Sequence, residues 1–260
     1  MPQIKCVIFD WAGTTVDFGS LDPVLAFQNA FAAAGITIST EAIRQDMGIE
    51  KHEHIAKLVR LPAVQAAWQA RYQRPITAAD ELNLFDQFET FLLKRLANQT
   101  QLTPFVLEVQ TYLHQQKINI ATTTGYTRPM LQLVAQQAAQ LGYQPDLMVS
   151  KEDVKAGRPS PDMIHKIQQT LKIKKPQSII KVGDTVVDML EGRNADVLTV
   201  GVLESSSLIG LSKTELDALS PHQRQTFLSE AKATLLAAGA DYVINNLQQL
   251  PAFIAAQQEV

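Results

Sequence analysis

The chain has 260 residues, of which 46% are hydrophobic, and its 12 Gly and 12 Pro follow no period. This composition excludes fibrous and disordered classes, and at about 150 residues per domain the length fits one large domain or two. The formal charge of −3 comes from intermixed acidic and basic residues, so we expect no nucleic-acid partner. The single cysteine, Cys6, excludes a disulfide scaffold and a Cys-rich zinc site.

The sequence contains no pattern typical of a targeting or membrane segment. Residues 1–10 lack a cationic stretch followed by a long apolar one, and no run approaches the roughly 18 apolar residues that span a bilayer. We therefore expect a cytoplasmic protein without a membrane partner.

Short apolar runs alternate with helical patterns along the chain. The runs that predict strands are residues 6–9, 118–122, 147–149, 178–182, 199–202 and 242–244. Between them, apolar side chains recur at three- and four-residue spacing, as in residues 105–113 and 163–171. Strands that alternate with helices in this way are typical of a doubly wound, Rossmann-like α/β fold with a parallel sheet.

A long insertion separates the first two predicted strands, because the interval far exceeds what a crossover with one helix needs. Its patterns are helical throughout, at residues 25–34, 50–59, 63–72 and 78–96. We predict an all-helical cap domain over residues 19–100, and an α/β core domain formed by residues 1–18 and 101–260. The insertion leaves the sheet at the carboxyl end of a strand, where open α/β sheets bind ligands, so we expect it to cover a site.

Polar residues follow three of the predicted strands. Asp10 follows the first, Thr124 and Gly125 follow the second, and Asp184 follows the fourth. Each alone is typical of a helix cap, but three at one sheet edge predict a ligand site. The Asp10 carboxylate can attack phosphorus, and the hydroxyl and backbone N–H groups of Thr124 and Gly125 can bind phosphoryl oxygens.

The same edge carries the residue types that bind a hard cation. Asp10 and Asp184 could hold Mg²⁺, and Asp188, one helical turn after Asp184, could orient the ion's ligands. Arg158 stands between the second and fourth motifs and could neutralise a phosphoryl group, although an isolated arginine is typical of a protein surface.

The insertion contains a candidate nucleophile at Lys51. On a helix, Met47, Lys51 and Ile55 share one face, which places Lys51 on an apolar stripe. A desolvated lysine has a lowered pKa and can attack an aldehyde, but spacing alone favours a lysine that snorkels to solvent. His54 follows on the same helix and could transfer protons, although a lone helical histidine is more often simply exposed.

The set Asp10, Thr124, Arg158 and Asp184 with Asp188 resembles, in this order, the four motifs of the haloacid dehalogenase superfamily, and the resemblance covers the whole chain. Most phosphatases of that superfamily carry a second aspartate two residues after the nucleophile, which protonates the leaving group. This chain has Ala12 there. Hydrolysis of ordinary phosphate esters is therefore expected to be slower by about 10²–10⁴-fold.

Five segments closely resemble the phosphonatase branch of that superfamily. They lie at residues 10–17, 47–54, 123–128, 156–161 and 182–195, and the second reads Met-Gly-x-x-Lys-x-x-His. The resemblance implies hydrolysis of the C–P bond of phosphonoacetaldehyde to acetaldehyde and phosphate, by a homodimer that associates through the cap.

The resemblance also implies roles for individual residues. Lys51 is the Schiff-base lysine, and Asp10 is the nucleophile that becomes an aspartyl phosphate. Mg²⁺ is held by Asp10, the backbone carbonyl of Ala12 and Asp184. The residues expected to contact the substrate are Met47, Thr124, Gly125 and Arg158, with His54 assigned to catalysis.

Two other classes of function stay open at this point. A phosphomonoesterase or phosphosugar mutase of the same fold predicts an acid at position 12 and gives Lys51 no covalent role. A non-catalytic phosphate-binding module would need neither the long insertion nor Arg158. Residues 205–240 carry no chemistry that their pattern identifies.

Overall fold

The computed structural model describes residues 3–258 and has one parallel sheet at its centre. The strands are β1 (Cys6–Phe9), β2 (Asn119–Thr123), β3 (Leu147–Val149), β4 (Ile179–Gly183), β5 (Leu198–Val202) and β6 (Tyr242–Ile244). Their order in the sheet is β3-β2-β1-β4-β5-β6, and every pairing is parallel. This is the order of a doubly wound Rossmann-like sheet, so the predicted fold class is confirmed.

The sheet is built from the predicted apolar runs. Strands β1, β3 and β6 have the predicted bounds, β2 and β4 begin and end one residue later, and β5 begins one residue earlier. All four residues of β1 are buried, as expected for a strand covered on both faces. Side chains alternate between the faces, so Val7 and Phe9 join one hydrophobic cluster while Cys6 and Ile8 join another.

Five helices connect β1 to β2, and we call residues 21–99 the helical insert. Its helices are α1 (Leu21–Ala33), α2 (Thr40–Arg44), α3 (Lys51–Leu58), α4 (Pro62–Tyr72) and α5 (Ala78–Gln99). Helix α1 packs along α5, where the rings of Phe27 and Phe88 stack with centroids 4.2 Å apart. Both rings belong to the same hydrophobic cluster as Val7 and Phe9, so the insert and the sheet share one core.

Several helix boundaries in the insert differ from the predictions, and two of these differences have a clear cause in the helix caps. Helix α1 begins before residue 25, because the Asp17 carboxylate accepts the N–H groups of Leu21 and Asp22 at 3.0 Å and caps it. Helix α3 begins at Lys51, after Glu50 caps it, so Met47 does not share a helical face with Lys51. Met47 lies in the preceding turn instead. The exact bounds predicted for the cap domain, 19–100, stay a prediction.

The remaining helices flank the sheet. They are α6 (Val106–Gln115), α7 (Arg128–Gln140), α8 (Asp162–Thr170), α9 (Val186–Asn194), α10 (Lys213–Ala218), α11 (Pro221–Ala237) and α12 (Leu250–Gln258). Phe105, predicted within a helical pattern, is the N-cap of α6 with φ of 70°. Within residues 3–258, no helix combines the length and the hydropathy that crossing a bilayer requires.

Candidate active site

The carboxylates predicted to act together do meet at one edge of the sheet. Asp10 directly follows β1 and Asp184 directly follows β4, and these neighbouring strands are in register at Phe9 and Val182. Asp188 lies in the first turn of α9. The three carboxylates are buried, and one oxygen from each lies within 4.8 Å of the others, so the cluster could hold a metal ion.

Asp184 is held by segments that lie far apart in the sequence. Thr14 Oγ1 donates a hydrogen bond to Asp184 Oδ1 at 3.0 Å, and the Ser207 backbone N–H donates to Oδ2 at 2.8 Å. Burial and the charges of Asp10 and Asp188 raise the pKa of Asp184 well above its usual value. A carboxylate whose charge is opposed in this way is suited to a bound cation.

Arg158 is at the centre of a buried ionic network. Its Nη2 donates to Asp10 Oδ1 at 2.7 Å and to the Thr123 carbonyl. Its Nη1 lies 3.0 Å from Asp188 Oδ1, and its Nε lies 3.2 Å from Glu191 Oε2. The surface position that an isolated arginine would suggest is therefore wrong, since Arg158 is only 2% exposed.

A second buried cation, Lys181, was missed by the sequence analysis. Its Nζ lies 2.9 Å from Asp188 Oδ1 and 3.2 Å from Glu191 Oε2, and it donates to Thr123 Oγ1 at 2.8 Å. Burial alone would raise the pKa of Asp188, but the charges of Arg158 and Lys181 lower it to about 2. The available signal was a lysine in the middle of the apolar run that forms β4.

The charges in this network do not balance. Its members are Asp10, Asp184, Asp188, Glu191, Arg158 and Lys181. Four carboxylates face two cations, so the cluster would carry excess negative charge with all of its carboxylates ionised, and this repulsion contributes to the raised pKa of Asp184. Carboxylate oxygens are the donors that hard divalent cations prefer, so both the charge and the ligand type fit a divalent ion.

A cavity lies between the sheet edge and the helical insert. The predicted site residues in its wall are Asp10, Ala12, Met47, Lys51, Thr124, Gly125 and Arg158. His54, Asp184 and Asp188 do not line it. Ser20 and Tyr126 also contribute to the wall, and the sequence analysis had not singled them out.

Lys51 places an amine in an apolar part of this cavity. It is the first residue of α3 and is 3% exposed. Its Nζ lies 5.9 Å from the ring centroids of Phe27 and Tyr126. Burial lowers the pKa of Lys51 to about 8, although the charge of Asp10 opposes the shift. The wall of one cavity therefore contains an amine with a lowered pKa and a carboxylate.

His54 lies behind Lys51 on α3 and is fully buried. Its Nε2 lies 3.0 Å from the Ile43 carbonyl oxygen, and its Nδ1 has no hydrogen-bond partner among residues 3–258. Burial, together with the charge of Lys51, lowers the pKa of His54 well below its usual value. The ring is therefore neutral at neutral pH, and the assignment of His54 to catalysis stays a prediction.

The turn after β2 meets the insert closely. Thr124 Oγ1 accepts the Tyr126 N–H at 3.0 Å, which fixes the turn. A side chain at Gly125 would overlap the backbone carbonyl of Ile49 in the insert. A glycine is therefore needed at position 125 for the two segments to approach, in addition to any contact it makes with a ligand.

Comparisons with known proteins agree with this geometry. The family model for haloacid dehalogenase-like hydrolases matches residues 4–196. The chain is 64% identical to the phosphonoacetaldehyde hydrolase of Latilactobacillus sakei, covering 99% of this chain and 97% of that protein. It is 44% identical to the phosphonoacetaldehyde hydrolase of Lactiplantibacillus plantarum, covering 96% and 95%.

Solved structures give the same result. The crystal structure of a phosphonoacetaldehyde hydrolase-like protein from Oleispira antarctica matches with a TM-score of 0.95 at 35% identity, covering 99% of this chain and 94% of that one. The chain therefore belongs to the haloacid dehalogenase-like hydrolases. Within them, it groups with the relatives named phosphonoacetaldehyde hydrolase. The family resemblance predicted from the motifs is confirmed.

Proposed function

We propose that this protein hydrolyses the C–P bond of phosphonoacetaldehyde to acetaldehyde and phosphate. The observation that carries the proposal is the presence of Lys51 and Asp10 in the wall of one cavity. An amine with a pKa of about 8 reacts with an aldehyde, and a carboxylate reacts with phosphorus. The names of the full-length relatives support the same substrate.

The first step joins Lys51 to the substrate. The neutral Nζ amine attacks the aldehyde carbon, the resulting carbinolamine takes up a proton from solvent and loses water, and a protonated imine forms. His54 is the candidate for moving the proton, because its neutral ring lies behind Lys51 and its Nδ1 is unpartnered among residues 3–258. Met47, in the cavity wall beside Lys51, is assigned to substrate contact.

The second step breaks the C–P bond. An Asp10 carboxylate oxygen attacks phosphorus, and the electron pair of the C–P bond moves into the protonated imine to give an enamine. Thr124, Gly125 and Arg158 are assigned to binding of the phosphoryl oxygens, and their position in the cavity wall supports this assignment. The group that leaves phosphorus is an enamine carbon and not an alkoxide, so it needs no proton from an acid at position 12, where this chain has Ala12.

The last step releases the products. Water attacks the aspartyl phosphate and yields inorganic phosphate with the Asp10 carboxylate restored. The enamine takes up a proton to become an imine again, and water hydrolyses that imine to acetaldehyde and the Lys51 amine. Atoms and charges balance over the cycle, and one water molecule is consumed overall.

Mg²⁺ is the proposed cofactor. Asp10, Asp184 and the backbone carbonyl of Ala12 would hold it, and Asp188 would orient the ligands from outside. Bound Mg²⁺ would supply positive charge that compensates the negative charge of the phosphoryl oxygens. The support is the buried cluster of carboxylates and the raised pKa of Asp184, whose ionised form a cation would stabilise.

The remaining expectations rest on the family resemblance. We propose that residues 19–100 act as a cap over the site, that the protein is a homodimer associating through this cap, and that it works in the cytoplasm. Size-exclusion chromatography with light scattering tests the dimer, which would give about twice the chain mass of 28.7 kDa.

The proposal is tested by comparing phosphate release from phosphonoacetaldehyde and from p-nitrophenyl phosphate. We expect the phosphonate to be strongly preferred. Acetaldehyde with borohydride should alkylate Lys51, and mass spectrometry should locate the label. Lys51→Arg should abolish both reactions, because a guanidinium keeps the charge but forms no imine at neutral pH. Lys57→Arg is the matched control, since Lys57 lies on the same helix and pairs with Asp46.

Other outcomes would select other functions. Preference for the phosphate ester, with no label on Lys51, would indicate a phosphomonoesterase or mutase. Binding of inorganic phosphate without turnover of either substrate would indicate a non-catalytic module. Normal phosphonate cleavage by Lys51→Arg would refute the imine mechanism.

A further inference from the structure

Arg44, the last residue of α2, connects the helical insert to the sheet domain through backbone carbonyls. Its Nη1 donates to the Ser207 carbonyl at 2.7 Å and to the Gly19 carbonyl at 3.2 Å. Its Nη2 lies 3.4 Å from the Gly210 carbonyl oxygen. No ion pair within residues 3–258 involves Arg44. Its guanidinium makes its hydrogen bonds to backbone carbonyls, while the nearby charge of Asp184 favours the protonated guanidinium without a direct ion pair.

The loop that accepts Arg44 is the loop that holds the metal carboxylate. We call residues 205–210 the serine loop. In this loop the Ser207 N–H donates to Asp184 Oδ2 at 2.8 Å, and Ser206 Oγ donates to the Asp184 backbone carbonyl at 2.7 Å. Ser205 Oγ donates to the carbonyl of Gly13, in the turn after Asp10, at 2.6 Å. The serine loop is therefore hydrogen-bonded both to Asp184 and to the turn that follows Asp10.

Arg44 is also close in sequence to Lys51, which carries the amine. The turn containing Met47 follows Arg44 directly, and Lys51 is the first residue of the next helix. Gly19, the third partner, lies at the start of the chain's path from β1 into the insert. One planar guanidinium therefore joins the segment that carries Lys51 to the loop that holds Asp184.

The serine loop leaves room for this contact at Gly210. Its φ is +66°, and a Cβ there would lie 2.6 Å from Arg44 Cζ. A larger residue would be strained and would push the guanidinium away. The loop conformation and the arginine therefore depend on each other.

We propose that Arg44 is a positioning residue, which fixes the Lys51 amine relative to the Asp10 and Asp184 carboxylates. The inference rests on the proposed function, because that chemistry requires a substrate held by Lys51 to reach Asp10. Reacting atoms must meet at roughly 3–3.5 Å, and a misplacement of about 1 Å costs roughly 10²-fold in rate. A guanidinium that binds three carbonyls restrains such a shift better than a single point charge.

The experiment measures two reactions of each variant. Phosphate release from phosphonoacetaldehyde needs Lys51 and Asp10 together, whereas borohydride trapping with acetaldehyde needs Lys51 alone. For Arg44→Ala, we expect kcat for phosphate release to fall about 10²-fold, whereas the rate of trapping should fall at most about tenfold. Gly210→Ala should have the same effect from the other side of the contact. Arg44→Lys should resemble Arg44→Ala, because an ammonium keeps the positive charge but lacks the two guanidinium nitrogens that bind the three carbonyls.

The control is Arg60→Ala, an exposed arginine of the same insert, which should keep both rates within about twofold. Thermal unfolding distinguishes variants that fail to fold from variants that fold and lose activity. If Arg44→Ala does not fold, Gly210→Ala and Arg44→Lys provide the same test. The proposal is overturned if Arg44→Ala cleaves phosphonoacetaldehyde at the wild-type rate, if Arg44→Lys restores it fully, or if trapping and cleavage fall together. Failure of the wild-type protein to trap acetaldehyde would refute the proposed function instead.

Discussion

Burial determines what Lys51 can do. An exposed lysine is almost wholly protonated at neutral pH, and a protonated amine has no lone pair with which to attack an aldehyde. The pKa of Lys51 is lowered to about 8 by burial, so about a tenth of the amine is neutral at pH 7. Asp10 limits this shift, because its charge favours the protonated amine.

Trapping of Lys51 should therefore depend on pH in a defined direction. Falling pH protonates the amine, so the rate of borohydride trapping with acetaldehyde should drop about tenfold per pH unit below about 8 and level off above it. The measurement is the yield of alkylated Lys51 by mass spectrometry between pH 6 and pH 10. A rate that keeps rising to the ordinary lysine pKa would show that Lys51 is solvated.

Asp10 should be separable from Lys51. Asp10→Asn keeps an oxygen that can accept the Arg158 hydrogen bond but loses the anionic nucleophile, so phosphate release should fall by roughly 10⁴-fold or more. Acetaldehyde trapping at pH 7 should be unchanged or faster, because the charge that favours protonated Lys51 is gone. Asp46→Asn, in the same insert as Lys51, is the control. Equal loss of both reactions would argue against two distinct roles.

At the scale of elements, the strands and the residues that directly follow them were predictable. Short, mostly apolar runs mark β1, β2, β4 and β5, and a carboxylate or hydroxyl at the end of a parallel strand points to the sheet edge. Those local signals placed Asp10, Thr124 and Asp184 correctly. The bounds of β2, β4 and β5 differed by one residue, since hydrogen bonding to neighbouring strands and not the apolar run sets where pairing begins and stops.

Other parts of the site depend on contacts between distant segments and have no local signal. Lys181 interrupts an apolar run, and only the fold shows that Glu191 and Asp188 lie beside it. The serine loop reads as an ordinary polar loop until its contacts with Asp184 are known. Met47 reaches the cavity from a turn, because Glu50 caps α3 and ends the helical pattern before residue 47.

The pair of β4 and α9 should be sensitive to the charge balance of the buried network. Among residues 3–258, Lys181→Met leaves Arg158 as the one cation paired with Asp188 and Glu191, which should lower the free energy of unfolding by about 3–5 kcal/mol. Adding Glu191→Met should recover most of that loss, because a charge of each sign is then absent. Urea unfolding followed by circular dichroism measures both effects.

The control for this pair is Lys213→Met, which breaks an exposed pair with Asp217 on α10. It should change the free energy of unfolding by less than about 1 kcal/mol, as is usual for surface ion pairs. If Lys181→Met cost no more than Lys213→Met, the buried network would not contribute to stability as argued.

For the whole molecule, the topology is what assembles the site. The sheet order places β1 beside both β2 and β4, so residues after all three strands reach one edge. The insert shares a hydrophobic core with the sheet, and this packing brings Lys51 over that edge. The result is a buried region with more carboxylates than cations, in which the repulsion between ionised carboxylates is relieved by a bound cation or by the protonation of Asp184.

Mg²⁺ should therefore stabilise the whole fold as well as support turnover. An ion that binds only the folded state at about 100 times its Kd adds about 2.7 kcal/mol, or roughly 5–10 °C in Tm for a chain of this size. Excess chelator should remove this gain and abolish phosphate release, and added Mg²⁺ should restore both. Calorimetry and the phosphate assay on the same samples measure the two effects.

Asp184→Asn distinguishes a metal ligand from an acid needed only for folding. Burial and two neighbouring charges oppose the ionised Asp184, so its removal should leave the metal-free protein at least as stable as the metal-free wild type. The same variant should lose most of the Tm gain from Mg²⁺, because one of the carboxylate ligands is missing. Asp86→Asn, at an exposed position of α5, should keep the full gain. A wild-type Tm that does not respond to Mg²⁺, together with full turnover in chelator, would show that no metal acts at this site. The repulsion among its carboxylates would then be relieved by the protonation of Asp184.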